Sequence, residues 1–261
     1  MIVEDSFEKL ENFCREENFK GYDPFDGLNS AVFKFSGFNK IPLLRLAWIQ
    51  LFKRLPVNLR SFVGLGKEYN PKGLGLFLSS YCNLYNIDPK EEYLQQINFF
   101  IKKLDESEIQ GYNGSCWGYN FDWQARAFFQ PKGTPNVVVS TFVGYALLDA
   151  YDIIKDEKLL IKARSICNFI LNDLNRTHDV KGNFCFSYSP VDESQVFNAS
   201  LLASKLLSRV YSYTNEDLLI KAAKKSVDYC VSFQKSDGSW SYGTATFHQW
   251  IDSFHTGYNL E

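Results

Sequence analysis

The chain has 261 residues, with 28 basic and 30 acidic side chains and a formal net charge of −2, which argues against a sequence-independent grip on nucleic acid. Hydrophobic residues make up 45% and charged residues 22%, the profile of a globular protein with one large core or two small ones. The N-terminus has no basic stretch leading into an apolar run, and no apolar run approaches the roughly 20 residues of a membrane helix, so no membrane insertion is expected.

Helical periodicity begins at residues 6–17, where Phe7, Leu10, Phe13 and Cys14 share a face. A loop with Asp23-Pro-Phe-Asp26-Gly follows; it lacks the further oxygen ligands of a calcium site and reads as a turn. A helix over residues 43–54 stops before Pro56, and another spans residues 74–85. Asp88-Pro89 opens the next, with Asp as N-cap and Pro at the first helical position. The long loop 111–135 holds Trp117, Tyr119, Phe121, Trp123 and Phe128. Two hairpins follow, at 137–151 with 157–174 and at 194–213 with 216–234, and a ninth helix begins near Trp250.

Those hairpins repeat. Leu-Leu-Ile-Lys-Ala occurs at Leu159 and again at Leu218, 59 residues apart. The loops repeat as well: Trp117-Gly-Tyr119, Phe186-Ser-Tyr188 and Trp240-Ser-Tyr242 share an aromatic-x-aromatic pattern. The first helix of each hairpin carries small residues (Ser140, Gly144, Ala146, Ala150; Ala199, Ala203, Ser204), which suits a crowded inner layer. The second carries lysines on a solvated face. Alternating inner and outer helices predict an all-α protein, an (α/α) toroid in a single domain, with no competing strand runs. Nine helices leave the last without a partner. Either a helix near the N-terminus escapes detection, or the chain is a shortened toroid. Phe254, Tyr258 and Leu260 would then present an apolar face, to be covered by a second subunit in a homodimer or by the helix at 6–17.

The six cysteines form no Cys-x-x-Cys pair, and reduced thiols in the cytoplasm are expected. Asp228-Tyr-Cys230 with His248 or His255 superficially matches a zinc site, but Cys230 continues an apolar face; no metal and no cofactor is read here.

Gln234-Lys-Ser-Asp-Gly238-Ser-Trp240 resembles the Gln-x-x-x-Gly-x-Trp motif of terpenoid cyclase and prenyltransferase toroids, which joins an outer helix to the next inner one. The acid motif of the cyclases is missing, which disfavours isoprenoid chemistry. Residues 184–261, with Val196-Phe-Asn-Ala-Ser-Leu-Leu202 and Asp252-Ser-Phe-His-Thr-Gly-Tyr258, resemble bacterial toroid proteins of capsule and exopolysaccharide loci, similar in shape to six-hairpin glycosidases. The resemblance implies a setting in polysaccharide metabolism and no named reaction.

Loops entering the inner helices of a toroid surround its central funnel. Each of the three readable here pairs aromatic rings with an acid: Asp122; Asp192 and Glu193; Asp252. Rings that stack on sugars and carboxylates that accept hydroxyl protons suit a carbohydrate ligand, although single rings could equally plug the core. Asp252 and His255, at i and i+3, would share a helix face, with the carboxylate orienting an imidazole for proton transfer. Asp122 is the third catalytic candidate. Trp117, Tyr119, Trp123, Trp240, Tyr242, Trp250 and Tyr258 are candidate substrate contacts, and Arg126 suits a carboxylate or phosphate. Such a site could serve a hydrolase, lyase or uronate epimerase, or a glycan-binding scaffold without turnover. His178 reads as a solvated turn residue.

Overall fold

The computed structural model describes residues 2–124 and 129–261; Arg126 lies outside them. Among the described residues it contains ten α-helices and two ribbons of two short strands. The chain divides into two compact units, Met1–Leu74 with Tyr119–Thr134, and Gly75–Gly118 with Pro135–Glu261.

In the first unit, α1 (Ile2–Glu16) has acids in its first turn and Arg15 in its last, the arrangement the helix dipole favours. The short α2 (Ala31–Phe35) is the element that sequence periodicity missed, because five residues are too few to show a period. Ser30 caps it by accepting the Phe33 N–H. Helix α3 (Pro42–Arg54) begins on Pro42 and ends as Leu55, ahead of Pro56, turns extended. Its inward face packs Trp48, Ile49 and Phe52 around Leu28 and Phe33. β1 (Trp123–Gln124) pairs antiparallel with β2 (Phe129–Gln130).

The second unit holds the hairpins. α4 (Pro71–Ile87) runs on from the first unit into it and is followed by α5 (Glu91–Glu106), which starts after Lys90 and not at the expected Asp88-Pro89 cap. Next come α6 (Val137–Ile154) and α7 (Glu157–Asn172), β3 (Arg176–His178) paired with β4 (Phe184–Phe186), α8 (Phe197–Thr214) and α9 (Asp217–Val231), and finally α10 (Ser253–Leu260). His178 is thus a strand residue, though an exposed one. Helix α6 is long and apolar enough to cross a membrane, but most of its residues are buried within the protein.

The two central hairpins superimpose in character at a spacing of 60, not the 59 of the matching pentapeptides. Helices α6 and α8 start 60 residues apart, at Val137 and Phe197, and end against the left-handed residues Lys155 and Asn215. Leu159 is 6% exposed and so is equivalent to buried Leu219, whereas Leu218 is 61% exposed. The pentapeptide match is therefore one residue out of structural register. Small inner residues do what the sequence suggests: a Cβ added to Gly144 would sit 2.7 Å from the Leu206 side chain, so glycine lets α6 and α8 close up.

Candidate functional site

Three loops carry the aromatic-x-aromatic pattern. The first ring of each goes into the core: Trp117 and Phe186 are 0% exposed and Trp240 is 5% exposed. The Trp117 indole N–H donates to the Leu104 carbonyl (2.8 Å) at the end of α5, and the Trp240 indole N–H donates to the Cys230 carbonyl (2.9 Å) at the end of α9. Both tryptophans therefore satisfy the last carbonyls of an outer helix. This corrects their assignment as substrate contacts, since a buried ring with its N–H engaged has no face left for a sugar. The Gln234 amide donates to the Gly238 carbonyl and shapes the turn before Trp240, where Gly238 adopts φ +86°.

Asp122 is also committed to structure. One carboxylate oxygen accepts the Lys132 N–H (2.7 Å) and the other pairs with Lys34 at 3.3 Å. Around it, Tyr119 stacks on Phe121 at 5.1 Å between centroids and meets Trp123 edge-on. Beside these residues the first unit has a polar cavity of about 170 Å³, which Asp23, Asp26, Asn29, Glu68 and Asn120 help to line. Asp26 is gripped by the Arg60 Nε at 2.9 Å and is buried, and burial also raises the Asp23 pKa above its ordinary value, with the Asp26 charge adding to the effect. The turn reading of Asp23–Asp26 missed this buried ion pair, whose arginine lies 34 residues on from Asp26. Asp192 is likewise used up, accepting from Ser189, Ser194 and the Tyr188 N–H.

The C-terminal loop differs. Its backbone brings Tyr242 and Trp250 together through a Tyr242 N–H to Trp250 carbonyl bond of 2.9 Å, and their rings stack at 4.5 Å. Asp252 is the N-cap of α10 and not part of its first turn, as the sequence reading had it. One of its oxygens accepts the His255 backbone N–H (2.7 Å); the other lies 2.7 Å from His255 Nδ1 and accepts the Trp250 indole N–H at 3.1 Å. The expected pair thus forms, but through a helix cap. Burial of the carboxyl works against ionisation, yet the His255 backbone and ring donors outweigh it and hold the Asp252 pKa below the ordinary 3.8. With a carboxylate at Nδ1 the imidazole proton sits there, leaving Nε2 as the basic nitrogen. Tyr242 meets the His255 ring edge-on at 4.6 Å, and Trp250 is 40% exposed. Tyr258 lies one turn further along α10, edge-on to Phe142 of α6.

His248 packs beside these rings, and burial lowers its pKa from the ordinary 6.5; its Nδ1 has no hydrogen-bond partner among the described residues. No group of three or more His, Cys, Asp or Glu side chains suited to a metal occurs among the described residues, and Cys230 is buried in a cluster with Cys185, Phe197, Tyr229 and Trp240.

No family model and no curated protein matches the sequence. Solved structures do. The chain is similar to a glycosyl hydrolase family 88 protein from Bacteroides vulgatus (TM-score 0.56, 12% identity, covering 88% of this chain and 69% of that one). It is similar to a sugar epimerase from a ruminal bacterium (TM-score 0.55, 14% identity, 86% and 65%). It is also similar to the cellobiose 2-epimerase of Bacillus thermoamylovorans (TM-score 0.54, 16% identity), spanning 77% of this chain but only 58% of that enzyme. What these proteins share with it is the fold: the chain is an all-α protein of the (α/α) toroid class, with six-hairpin glycosidase-like structural neighbours.

Proposed function

We propose that this chain is a carbohydrate-active protein of bacterial polysaccharide metabolism, which takes an oligo- or polysaccharide against the Tyr242, Trp250, Asp252 and His255 cluster. One observation carries the reading: the Asp252 carboxylate 2.7 Å from the His255 imidazole, beside the partly exposed Trp250 ring. His255 is the proton-transfer group, Asp252 orients and charge-stabilises it, and Trp250 offers an apolar face to a sugar ring. Tyr258, on the same helix, is a further substrate contact. The Asp252 carboxylate already accepts from the His255 backbone and ring and from the Trp250 indole, so it orients the imidazole and does not flank a glycosidic bond. Proton abstraction at a sugar carbon, as in an epimerase or lyase, therefore suits it better than hydrolysis by paired carboxylates. The structural neighbours that process sugars support the substrate class. The six unpaired thiols support a cytoplasmic setting.

The second reading is a glycan-binding scaffold without turnover. It is favoured by the capping role of Asp252, which gives that side chain a structural reason to be there. Incubation with neutral and uronate-containing oligosaccharides in deuterated solvent separates the two. Deuterium uptake, a new reducing end or a mass change supports catalysis. Saturable binding without any of these supports the scaffold, and neither binding nor turnover across the panel sinks both.

A further inference from the structure

Between Gly27 and Lys67 the chain has seven basic residues and no acidic one, in a protein whose net charge is −2. The same stretch exposes large apolar side chains. On α3, Leu43, Ala47, Leu51 and Arg54 are exposed, and their spacing of 3 to 4 residues puts them on one stripe, with exposed Gln50 and Lys53 beside it. Leu43 is 73% exposed, and the turn Phe38–Lys40, which packs against α3, leaves Phe38 and Lys40 exposed as well. A single exposed leucine is ordinary, but a helix with apolar residues on both faces and cations at its end is not. Lys40 and Arg54 form no ion pair among the described residues, whereas Lys34, Arg60 and Lys67 are held by Asp122, Asp26 and Glu17. Arg45 donates to Gln124 and to the Asn39 carbonyl, and Lys53 lies over the Phe25 ring, which leaves Lys40 and Arg54 beside the apolar stripe.

We infer that the outward face of α3, with the turn before it, docks peripherally on an anionic lipid bilayer. Leucine and phenylalanine enter the boundary between headgroups and acyl chains, while Lys40 and Arg54 meet lipid phosphates. Charge decides against a second copy as the occupant, because two such faces would bring like charges together. Nucleic acid fits poorly, since the groups between the cations are aliphatic or phenyl and not polar. This inference goes beyond the carbohydrate reading and does not depend on it.

The test is sedimentation of the 261-residue chain with vesicles of phosphatidylcholine mixed with phosphatidylglycerol, against pure phosphatidylcholine. The expected result is binding to the anionic vesicles only, released by salt. Neutralising Lys40→Gln or Arg54→Gln should each weaken partition about fivefold, and Leu43→Ser with Leu51→Ser should abolish it. All four positions are exposed, so circular dichroism should stay unchanged; the lipid and salt dependence of the unaltered chain needs no variant at all. Equal binding to both vesicle types, or none to either, overturns the inference. So does an oligomer in light scattering that the double leucine variant dissolves, or retention of duplex DNA at a salt concentration where vesicles are not bound.

Discussion

Two loops of this molecule have almost the same ingredients and different uses. The Asp122 loop and the Asp252 loop each combine a carboxylate, stacked aromatic rings and a nitrogen partner. Around Asp122 the partner is Lys34, and the other oxygen is taken by a backbone N–H, so the acid knits its own loop together. Around Asp252 the partner is an imidazole, which has a second nitrogen to offer. The difference lies in the partner: a lysine ammonium only donates, whereas an imidazole donates at one nitrogen and accepts at the other. Aromatic rings divide in the same way, with Trp117 and Trp240 closed off by helix carbonyls and Trp250 partly exposed.

The largest expected effect tests that division of rings. Trp117→Ala should cost about 3–5 kcal/mol of stability, since it empties a fully buried core site. Trp250→Ala, at a partly exposed ring, should cost much less while weakening sugar binding. Urea unfolding of the two variants decides; similar losses would mean that Trp250 is also core. Next comes the histidine. If it moves a proton, His255→Ala should lower turnover by about 10²- to 10⁴-fold with little change in melting temperature, while Asp122→Asn leaves turnover intact. A variant that loses several degrees and keeps its turnover would make the dyad a cap and no more.

A smaller effect is read in pH. The His248 pKa is depressed by burial from 6.5, so the unfolded chain binds a proton that the folded chain refuses. Its contribution is present above pH 6.5 and is lost as pH falls through the folded value. His248→Phe should flatten the stability profile just below pH 6.5, while the loss tied to Asp252 stays in the carboxylate range below 3.8. An unchanged profile in that variant would mean that another group titrates there. The smallest effect belongs to Asp122→Asn. Lys34 is partly exposed, so losing its ion pair should cost no more than about 1 kcal/mol by chemical denaturation.

Legibility in the sequence followed the range of the forces involved. Helix periodicity, proline stops and small-residue inner faces are local patterns, and they were enough for the all-α class and for the order of the hairpins. The 59-residue match missed the register of 60 because identity compares letters, while burial compares positions around a helix axis. The basic stretch from Gly27 to Lys67 was open to counting, and the net charge of −2 concealed it.

What the chain determined by itself was which rings and acids stand in the loops and that Asp252 and His255 are three residues apart. Tertiary structure decided which of them remain available. A loop tryptophan becomes core when an outer helix ends within reach of its indole N–H, as α5 does for Trp117. An acid becomes structural when a distant lysine or arginine arrives, as Lys34 does for Asp122 and Arg60 for Asp26. Those partners lie tens of residues away, and no local pattern encodes their approach; apolar burial folds the chain, and a polar group that this buries is tolerated only where a partner arrives with it.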